Sequence, residues 1–576
     1  LVVHSTVSHA PYLCGFDFFA GKTACGPKAF VVYAWLLIAT AITFFFVVSL
    51  VPQYVDEKLE TGIKEGILIT PEAQAANNFA YRTWQSSFDA EATPTTMSIM
   101  MWNLTNAAEV LEGARPNLVE VGPYVYQEHS VKYNVTFVKS PSNGLNTVEF
   151  LEWKYYIFDR AATPAALAES DLITTQNTVF QIWRPMANAA LVDSTFVRLW
   201  NDTNDIGDEM NDLKRMFTTR PVSELLWGYH DPRFGLPSLT ADEQVAEPLF
   251  HEAGLTADGF FPGFLGPNST KEEVLADAAG WRGFYTGDDS IASAFAWSKY
   301  NNASHVQSKS ILGGGKYNPV WDSPEASMII GTDGRHFTPF NWVTKDSELP
   351  VYVSDAHRSV MVTCTGERKV HGAVDTLEFT LSPRDMQNAT VEPRNAAWHM
   401  YGPSGFFNLS SFNVAAMVLS KPHFLDVSPV VAEKLDGMHP DRGAHETVLL
   451  VEPVSGVVMS ASKSLQMSVN TIGPLTVKKL AHKPVWFAAL TEDLYIPSVW
   501  MNEAGGIAAN KAREFADTVY PAQQLAARLR LGGLIAGTAA ALLAVVFLTV
   551  AFHRANSKRT VDGAFPSINS GDYSSL

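Results

Sequence analysis

Apolar positions gather into two unbroken runs near the ends of the chain. The first is Ala29–Val51 (AFVVYAWLLIATAITFFFVVSLV) and the second Leu531–Phe552 (LGGLIAGTAAALLAVVFLTVAF), and neither contains Asp, Glu, Lys or Arg. About 20 apolar residues in a helix cross the hydrocarbon core of a bilayer, so each run predicts a transmembrane helix. The first is longer than the roughly 7–15-residue core of a signal peptide and no small-residue cleavage site follows it. It reads as an uncleaved anchor. Two spans place tails 1–28 and 553–576 on one side of the membrane and the domain 52–530 on the other.

Inside that domain the period is mostly two. Val121–Val138 (VGPYVYQEHSVKYNVTFV) opens on a predicted Gly-Pro turn and then alternates β-branched and aromatic residues with polar ones. Val148–Phe158 (VEFLEWKYYIF) reads likewise and is expected to pair nearby. Thr447–Ile472 predicts a hairpin broken at Pro453 and Ser455-Gly456. Between about 164 and 220 the period lengthens: Val179, Phe180, Trp183, Met186, Leu191, Phe196, Leu199 and Trp200 predict helices inserted into a β domain. Ala504–Arg530 is expected to be helical and to feed the second span. That span carries Gly533 and Gly537 with Ala541, a small-residue stripe that lets two helices approach closely. Its partner is either the first span or a second copy of the chain, a homo-oligomer.

Orientation follows from N-x-S/T acceptors more than from charge, because the Lys and Arg bias around the spans favours cytoplasmic tails only slightly. Asn103, Asn134, Asn201, Asn268, Asn302, Asn388 and Asn408 all lie between the spans. Such sites are glycosylated only in the secretory lumen, so 52–530 is expected to be luminal or extracellular. The chain carries a net charge of −17 while each tail is net +1; the acidity lies wholly between the spans. That argues against nucleic acid or anionic lipid surfaces as main partners.

The chain has three cysteines, Cys14, Cys25 and Cys364. Only Cys364 lies between the spans, so this domain forms no internal disulfide, which is unusual outside the cell. Cys14 and Cys25, near the first span, are candidates for palmitoylation. A search for chemistry finds no catalytic constellation and predicts neither a metal nor a cofactor. His251-Glu252 and His445-Glu446 lack the second histidine of a zinc helix. Gly313-Gly314-Gly315 ahead of Lys316 reads as a turn, and Asp288-Asp289 as a solvated loop. The chain is not expected to be an enzyme.

Several linked stretches are familiar: Asn103–Phe137, Glu224–Pro232 (ELLWGYHDP), Gly331–Phe340 (GTDGRHFTPF), Pro422–Pro429 (PHFLDVSP) and His445–Gln466 (HETVLLVEPVSGVVMSASKSLQ). In order and spacing they resemble the class B scavenger receptor family, including its lysosomal integral membrane protein branch. The resemblance implies an α+β domain between two transmembrane helices, with an antiparallel β-barrel-like core and a helical-bundle cap at about 164–220. It implies lipid, lipoprotein or protein ligands bound at the cap and an apolar tunnel through the core. Three departures stand out. His357 and Ala326 replace cysteines that the family often carries. Ile330 removes a sequon. The cap is acidic: Asp202, Asp205, Asp208, Glu209 and Asp212 are candidate ligand-binding residues suited to a neutral lipid, a sterol or a basic protein rather than an anionic ligand.

Tyr573-Ser574-Ser575-Leu576 matches Y-x-x-Φ, the pattern read by clathrin adaptors, and makes Tyr573 and Leu576 a candidate sorting signal toward endosome and lysosome rather than stable residence at the plasma membrane. The expectation is a scavenger-receptor-like glycoprotein that conducts lipid to or from the membrane. The alternatives are a lysosomal trafficking receptor for a soluble hydrolase and, distantly, a two-span ligand-gated channel.

Overall fold

Both apolar runs are helical, and each helix overruns its apolar stretch, spanning Pro27–Ile67 and Ala509–Asp562. The structure, a computed structural model, describes residues 27–89, 91–92, 95–177, 216–230, 260–261, 263–266, 268–309, 317–319, 321, 323–340, 342–409, 417–471 and 493–562. The chain divides into two units, 1–62 with 516–576, and 63–515.

In the first unit both helices are long and apolar enough to cross a bilayer, and the protein is a two-span membrane protein. Large side chains such as Trp35, Leu36, Phe46, Leu542 and Val545 face outward, whereas Ala34, Ala41, Ala540 and Ala544 are buried. The small-residue stripe packs on the first span: Gly533 lies against Val48, which a Cβ would overlap, and Gly537 against the Phe45 ring. Phe547 meets the rings of Phe30 and Tyr33 at 5.8 and 6.1 Å, and Arg530 pairs with Asp56. Of the two partners expected for the stripe, this is the first span.

The second unit is built on antiparallel strands. β1 (Thr95–Leu104), β2 (Leu118–Lys139) and β3 (Asn146–Phe158) form a meander. β4 (Leu172–Gln176) and β5 (Phe217–Pro221) pair with each other, as do β6 (Tyr229–His230) and β7 (Phe260–Phe261). β8 (Arg282–Tyr285) and β9 (Trp297–Lys299) extend the sheet beyond β3. β10 (Gln307–Lys309) pairs with β11 (Tyr317–Pro319). β12 (Glu348–Val353), β13 (Arg358–Val370) and β14 (Val374–Leu381) form the opposite margin. β15 (Phe407–Asn408) and β16 (Met417–Ser420) attach as a branch. β17 (Val448–Val451), β18 (Val458–Asn470) and β19 (Tyr495–Gly506) complete it. The order is β12-β13-β14-β17-β18-β19-β1-β2-β3-β8-β9.

No ladder closes this sheet into a barrel among the described residues; instead one extended pair stitches its two edges. Trp297 on β9 donates its N–H to Gly331 O at 2.9 Å. Thr332 donates to Pro350 O on β12 at 3.2 Å and accepts from Tyr352 N at 3.0 Å. Gly331 has φ +83, and a Cβ there would stand 2.0 Å from Pro350 O, so only glycine fits this close approach.

The hairpins expected from alternation form, with β2 on β3 and β17 on β18. Glu452 caps the second turn, accepting from Ser455 N and Oγ at 2.7 and 2.6 Å. Three local expectations change. Gly122-Pro123 makes no turn; it lies inside β2 where the β1–β2 register shifts. A Cβ at Gly122 would come within 2.8 Å of Ile99 O, and proline, without an N–H, is tolerated at such an irregularity. Ala504–Gly506 ends β19 instead of starting a helix, because pairing with Ser462, Ala461 and Ser460 holds it extended. The described ends of the expected cap, 172–176 and 217–221, are strands rather than helix, as β-branched LITTQ and FTTRP allow. Val179–Trp200 lies outside the described residues.

The expectation of missing staples around His357 and Ala326 also gains a physical answer. Buried Trp321 donates its indole N–H to His357 O at 2.7 Å, and Trp398 donates to Ala326 O at 3.1 Å. The Arg358 guanidinium lies 3.8 Å from the Trp398 ring centroid, and burial pushes its pKa down to about 10. Indole hydrogen bonds and a buried cation–π contact hold this lobe without a disulfide; Cys364 is free.

Candidate functional site

The inner face of the curled sheet is layered, and the layering comes from strand alternation. Even-numbered residues share one face along Tyr124–Lys132 of β2 and Val148–Phe158 of β3. From one end, Tyr124 and Tyr126 on β2 and Tyr156 and Phe158 on β3 belong to a large apolar cluster with Ile99, Phe379 and Val499. From the other, Val148 and Phe150 pack with Leu68, Tyr81, Phe284 and Phe295. Between the two apolar layers stand Glu128, Ser130 and Lys132 on β2 and Glu152 and Lys154 on β3. The inner face is therefore not apolar throughout, in contrast to the tunnel that the resemblance implies.

These charges pair with each other and with residues from distant strands. Lys132 Nζ lies 3.1 Å from Glu152 Oε1, directly opposite it in the ladder. Lys154 reaches Glu128 at 2.6 Å, Arg335 reaches Glu128 at 3.3 Å, and Arg282 pairs with Glu152. Lys463 on β18 meets Asp355, which follows β12, at 2.5 Å, and Glu503 on β19 at 3.8 Å. β18 and β12 are not neighbours in the sheet, so the Lys463–Asp355 pair crosses its interior. Burial disfavours the charged form of Glu152, but Lys132 and Arg282 outweigh it and hold the carboxyl well below the usual range. Burial likewise opposes Lys154, Arg335 and Lys463, and neighbouring carboxylates, Glu503 first for Lys154, Asp333 for Arg335 and Asp355 for Lys463, raise all three. Burial pushes Lys132 the other way, below its usual value, against the pull of Glu152; every member of the group is charge-paired.

A second polar cluster joins three of the stretches quoted above. His423 donates from Nε2 to Glu120 Oε2 at 2.6 Å, while its Nδ1 accepts from His439 N at 3.1 Å. Its ring stacks on His445 at 4.3 Å, and Trp500 donates to the same Glu120 oxygen at 2.8 Å. Glu446, next to His445, binds buried Lys421 at 2.7 Å. These blocks serve the scaffold. So do Trp227, packed against the large cluster, and Tyr229, buried.

The stalk of the expected cap is firmly tied down. Gln176, at the end of β4, donates from its buried amide to Ile496 O at 2.9 Å and Val469 O at 3.2 Å. Tyr124 and Tyr126 donate to Asp171 and Glu169 at 2.9 and 2.7 Å, just before β4. The candidate cap residues Asp202, Asp205, Asp208, Glu209 and Asp212 lie outside the described residues, as do Asn201, Cys14, Cys25, Tyr573, Leu576, His251, Glu252 and Gly313–Gly315.

The described sequons differ in setting. Asn134 is exposed in a bulge of β2 with φ +53, and Asn302 is exposed in a turn with φ +59. Asn103 is half-buried on β1 and accepts from Thr174 N at 2.9 Å. Asn268 pairs both ways with the Tyr156 backbone, at 3.0 and 3.1 Å. Asn388 and Asn408 donate to Gly402 O and His399 O.

Asp288 and Asp289 cap a turn by accepting from Asn146. No group of three or more metal-ligating side chains occurs among the described residues. Sequence reasoning passed over the ionic layer, although its signal is present: Glu128 and Lys132 share parity with Tyr124 and Tyr126, where a simple one-sided sheet would place only apolar residues.

Residues 35–548 match the CD36 family. Scavenger receptor class B member 1 of Sus scrofa is 29% identical over 430 residues, covering 73% of this chain and 72% of the relative. Its Bos taurus counterpart is 27% identical over 482 residues, 82% and 80% of the two chains. Lysosome membrane protein 2 of Homo sapiens is 26% identical over 445 residues, 75% and 78%. With a match running from within the first span to within the second and over the whole domain between them, the chain belongs to the CD36 family.

Proposed function

We propose that this chain is a membrane receptor that captures lipid or lipoprotein ligands and passes lipid through its curled sheet to or from the membrane. The observation that carries the reading is the extent of the family match, which takes in both spans and the domain between them, together with relatives named as scavenger receptors. A lipid crossing water exposes apolar surface at about 25 cal/mol per Å², and an enclosed path removes that cost without a covalent step. In this reading 52–530 is luminal or extracellular and the cap expected at about 164–220 supplies the capture surface. The test is uptake of fluorescent lipid from lipoprotein by cells expressing the full chain. Replacing 178–215 with a short Gly-Ser loop is expected to abolish uptake while leaving delivery to the membrane intact. Unchanged uptake would sink the reading.

A second reading is a trafficking receptor that delivers a basic soluble hydrolase to lysosomes. The relative named lysosome membrane protein 2, the acidic stretch Asp202–Asp212 and the terminal Tyr573-x-x-Leu576 favour it. A pull-down with the full chain at neutral and acid pH distinguishes the two.

A further inference from the structure

The ionic layer inside the curled sheet has a property that a simple buried salt-bridge cluster lacks. Lys154, Lys463, Arg335 and Asp355 keep 33%, 32%, 49% and 53% of their side-chain surface accessible. Yet Lys154 stands on the inner face between two apolar clusters, and Arg335 reaches Glu128 on that same face. A side chain on the outer surface has the first property without the second, and one packed in a core has the second without the first. Both hold together for groups that line an enclosed space wide enough for solvent. The pairing geometry agrees, since Lys463 and Asp355 meet across the interior from strands that are not neighbours. Apolar clusters flank the layer on either side along β2 and β3.

We propose that this layer is a headgroup station which sets the ligand class: lipids with a zwitterionic headgroup, the phosphate meeting Arg335, Lys154 and Lys463 and the ammonium meeting Asp355 and Glu503, while steryl esters are rejected. The inference rests on the lipid-conducting reading and names the lipid. A fully apolar body passing these groups strips water from the ions and returns no hydrogen bonds, which is unfavourable. A lone carboxylate brings one unbalanced charge into a set whose cations are already matched by Glu128, Asp355 and Glu503. A headgroup with both signs replaces the lost water on both partners of a pair and leaves the balance unchanged. The two apolar layers suit the acyl chains.

The test uses the full-length glycosylated protein in proteoliposomes. Transfer from donor emulsions is measured for a fluorescent phosphatidylcholine, a fluorescent cholesteryl ester and a fluorescent fatty acid. Phosphatidylcholine is expected to move at least roughly tenfold faster than the ester, a preference equivalent to one headgroup interaction. The variant Lys463→Met with Asp355→Leu removes one cation and one anion, leaving Lys154 as the neighbouring cation of Glu503, and is expected to narrow that ratio to about threefold or less. Arg335→Lys, which keeps the charge, is expected to retain the preference. If the double variant does not fold, the wild-type ratio decides alone. Ester or fatty acid moving as fast as phosphatidylcholine overturns the headgroup station and leaves the lipid-conducting reading standing. Transfer of none of the three overturns both.

Discussion

At the scale of single residues, the sequons show how much a local environment adds to a motif. All seven satisfy the same three-residue pattern, but only some offer an accessible asparagine. Asn134 and Asn302 are exposed at points of positive φ, whereas Asn103 is tied to Thr174 and Asn268 to Tyr156. We expect Asn134→Gln and Asn302→Gln each to remove one glycan, read as a shift in gel mobility that glycosidase treatment abolishes. Asn103→Gln should cause no such shift but lower the melting temperature, because Thr174 N loses its acceptor at a cost of about 1 kcal/mol. His357 offers a test of pH dependence. Burial pushes its pKa down to about 4, against the opposing pull of Asp355. In the unfolded chain a histidine titrates near 6.5. The folded state then binds fewer protons than the unfolded one between these values, so stability is full above about 6.5 and is lost as pH falls toward 4. From pH 7 to pH 5 the loss is on the order of 1–2 kcal/mol for this half-buried ring. His357→Asn, which tolerates the left-handed backbone at φ +48, should show a smaller drop in melting temperature over that range. Equal drops would count against this account.

At the scale of elements, much was legible because hydrophobic periodicity survives in the tertiary structure. Helices at both apolar runs and the hairpins of β2 with β3 and β17 with β18 follow from runs and alternation. What failed did so where a long-range contact overrode a local preference. Gly122-Pro123 carries turn chemistry, yet β2 pairs with β1 before and after it, Val121 with Met101 and Tyr124 with Ile99, and is held extended. Ala504 has high helix propensity, yet it pairs with Thr96 on β1 and Ser462 on β18. The stitch at Gly331-Thr332 belongs to this scale as well, because two residues join margins that lie ten ladders apart in sheet order. Gly331→Ala forces a Cβ onto Pro350 O in a left-handed conformation and is expected to cost about 2 kcal/mol or more. The readout is a lower yield of endoglycosidase-resistant protein and a lower melting temperature. Gly144→Ala serves as the control, since it also has positive φ (+74) but meets no neighbour within 4 Å.

At the scale of the whole molecule, two apolar helices bracket an acidic domain, and that arrangement sets which experiments discriminate. If the tail steers the protein, Tyr573→Ala should move it from endosomes and lysosomes to the cell surface, measured by surface biotinylation as a several-fold rise. An unchanged distribution would remove the sorting argument and leave lipid conduction untouched. The sequence by itself determined the two spans, the strand-rich character of the domain between them and its kinship, because each rests on local periodicity or on linked stretches of residues. Tertiary structure alone decided which helix the Gly533 stripe faces, how the sheet margins are joined, and that Glu128, Lys132, Glu152, Lys154, Arg335, Asp355, Lys463 and Glu503 form one ionic layer. The physical reason is that a charge on a strand reads as solvent-facing until the partners that neutralise it arrive. Here several come from segments more than a hundred residues away along the chain, such as Asp355 to Lys463 and Glu128 to Arg335.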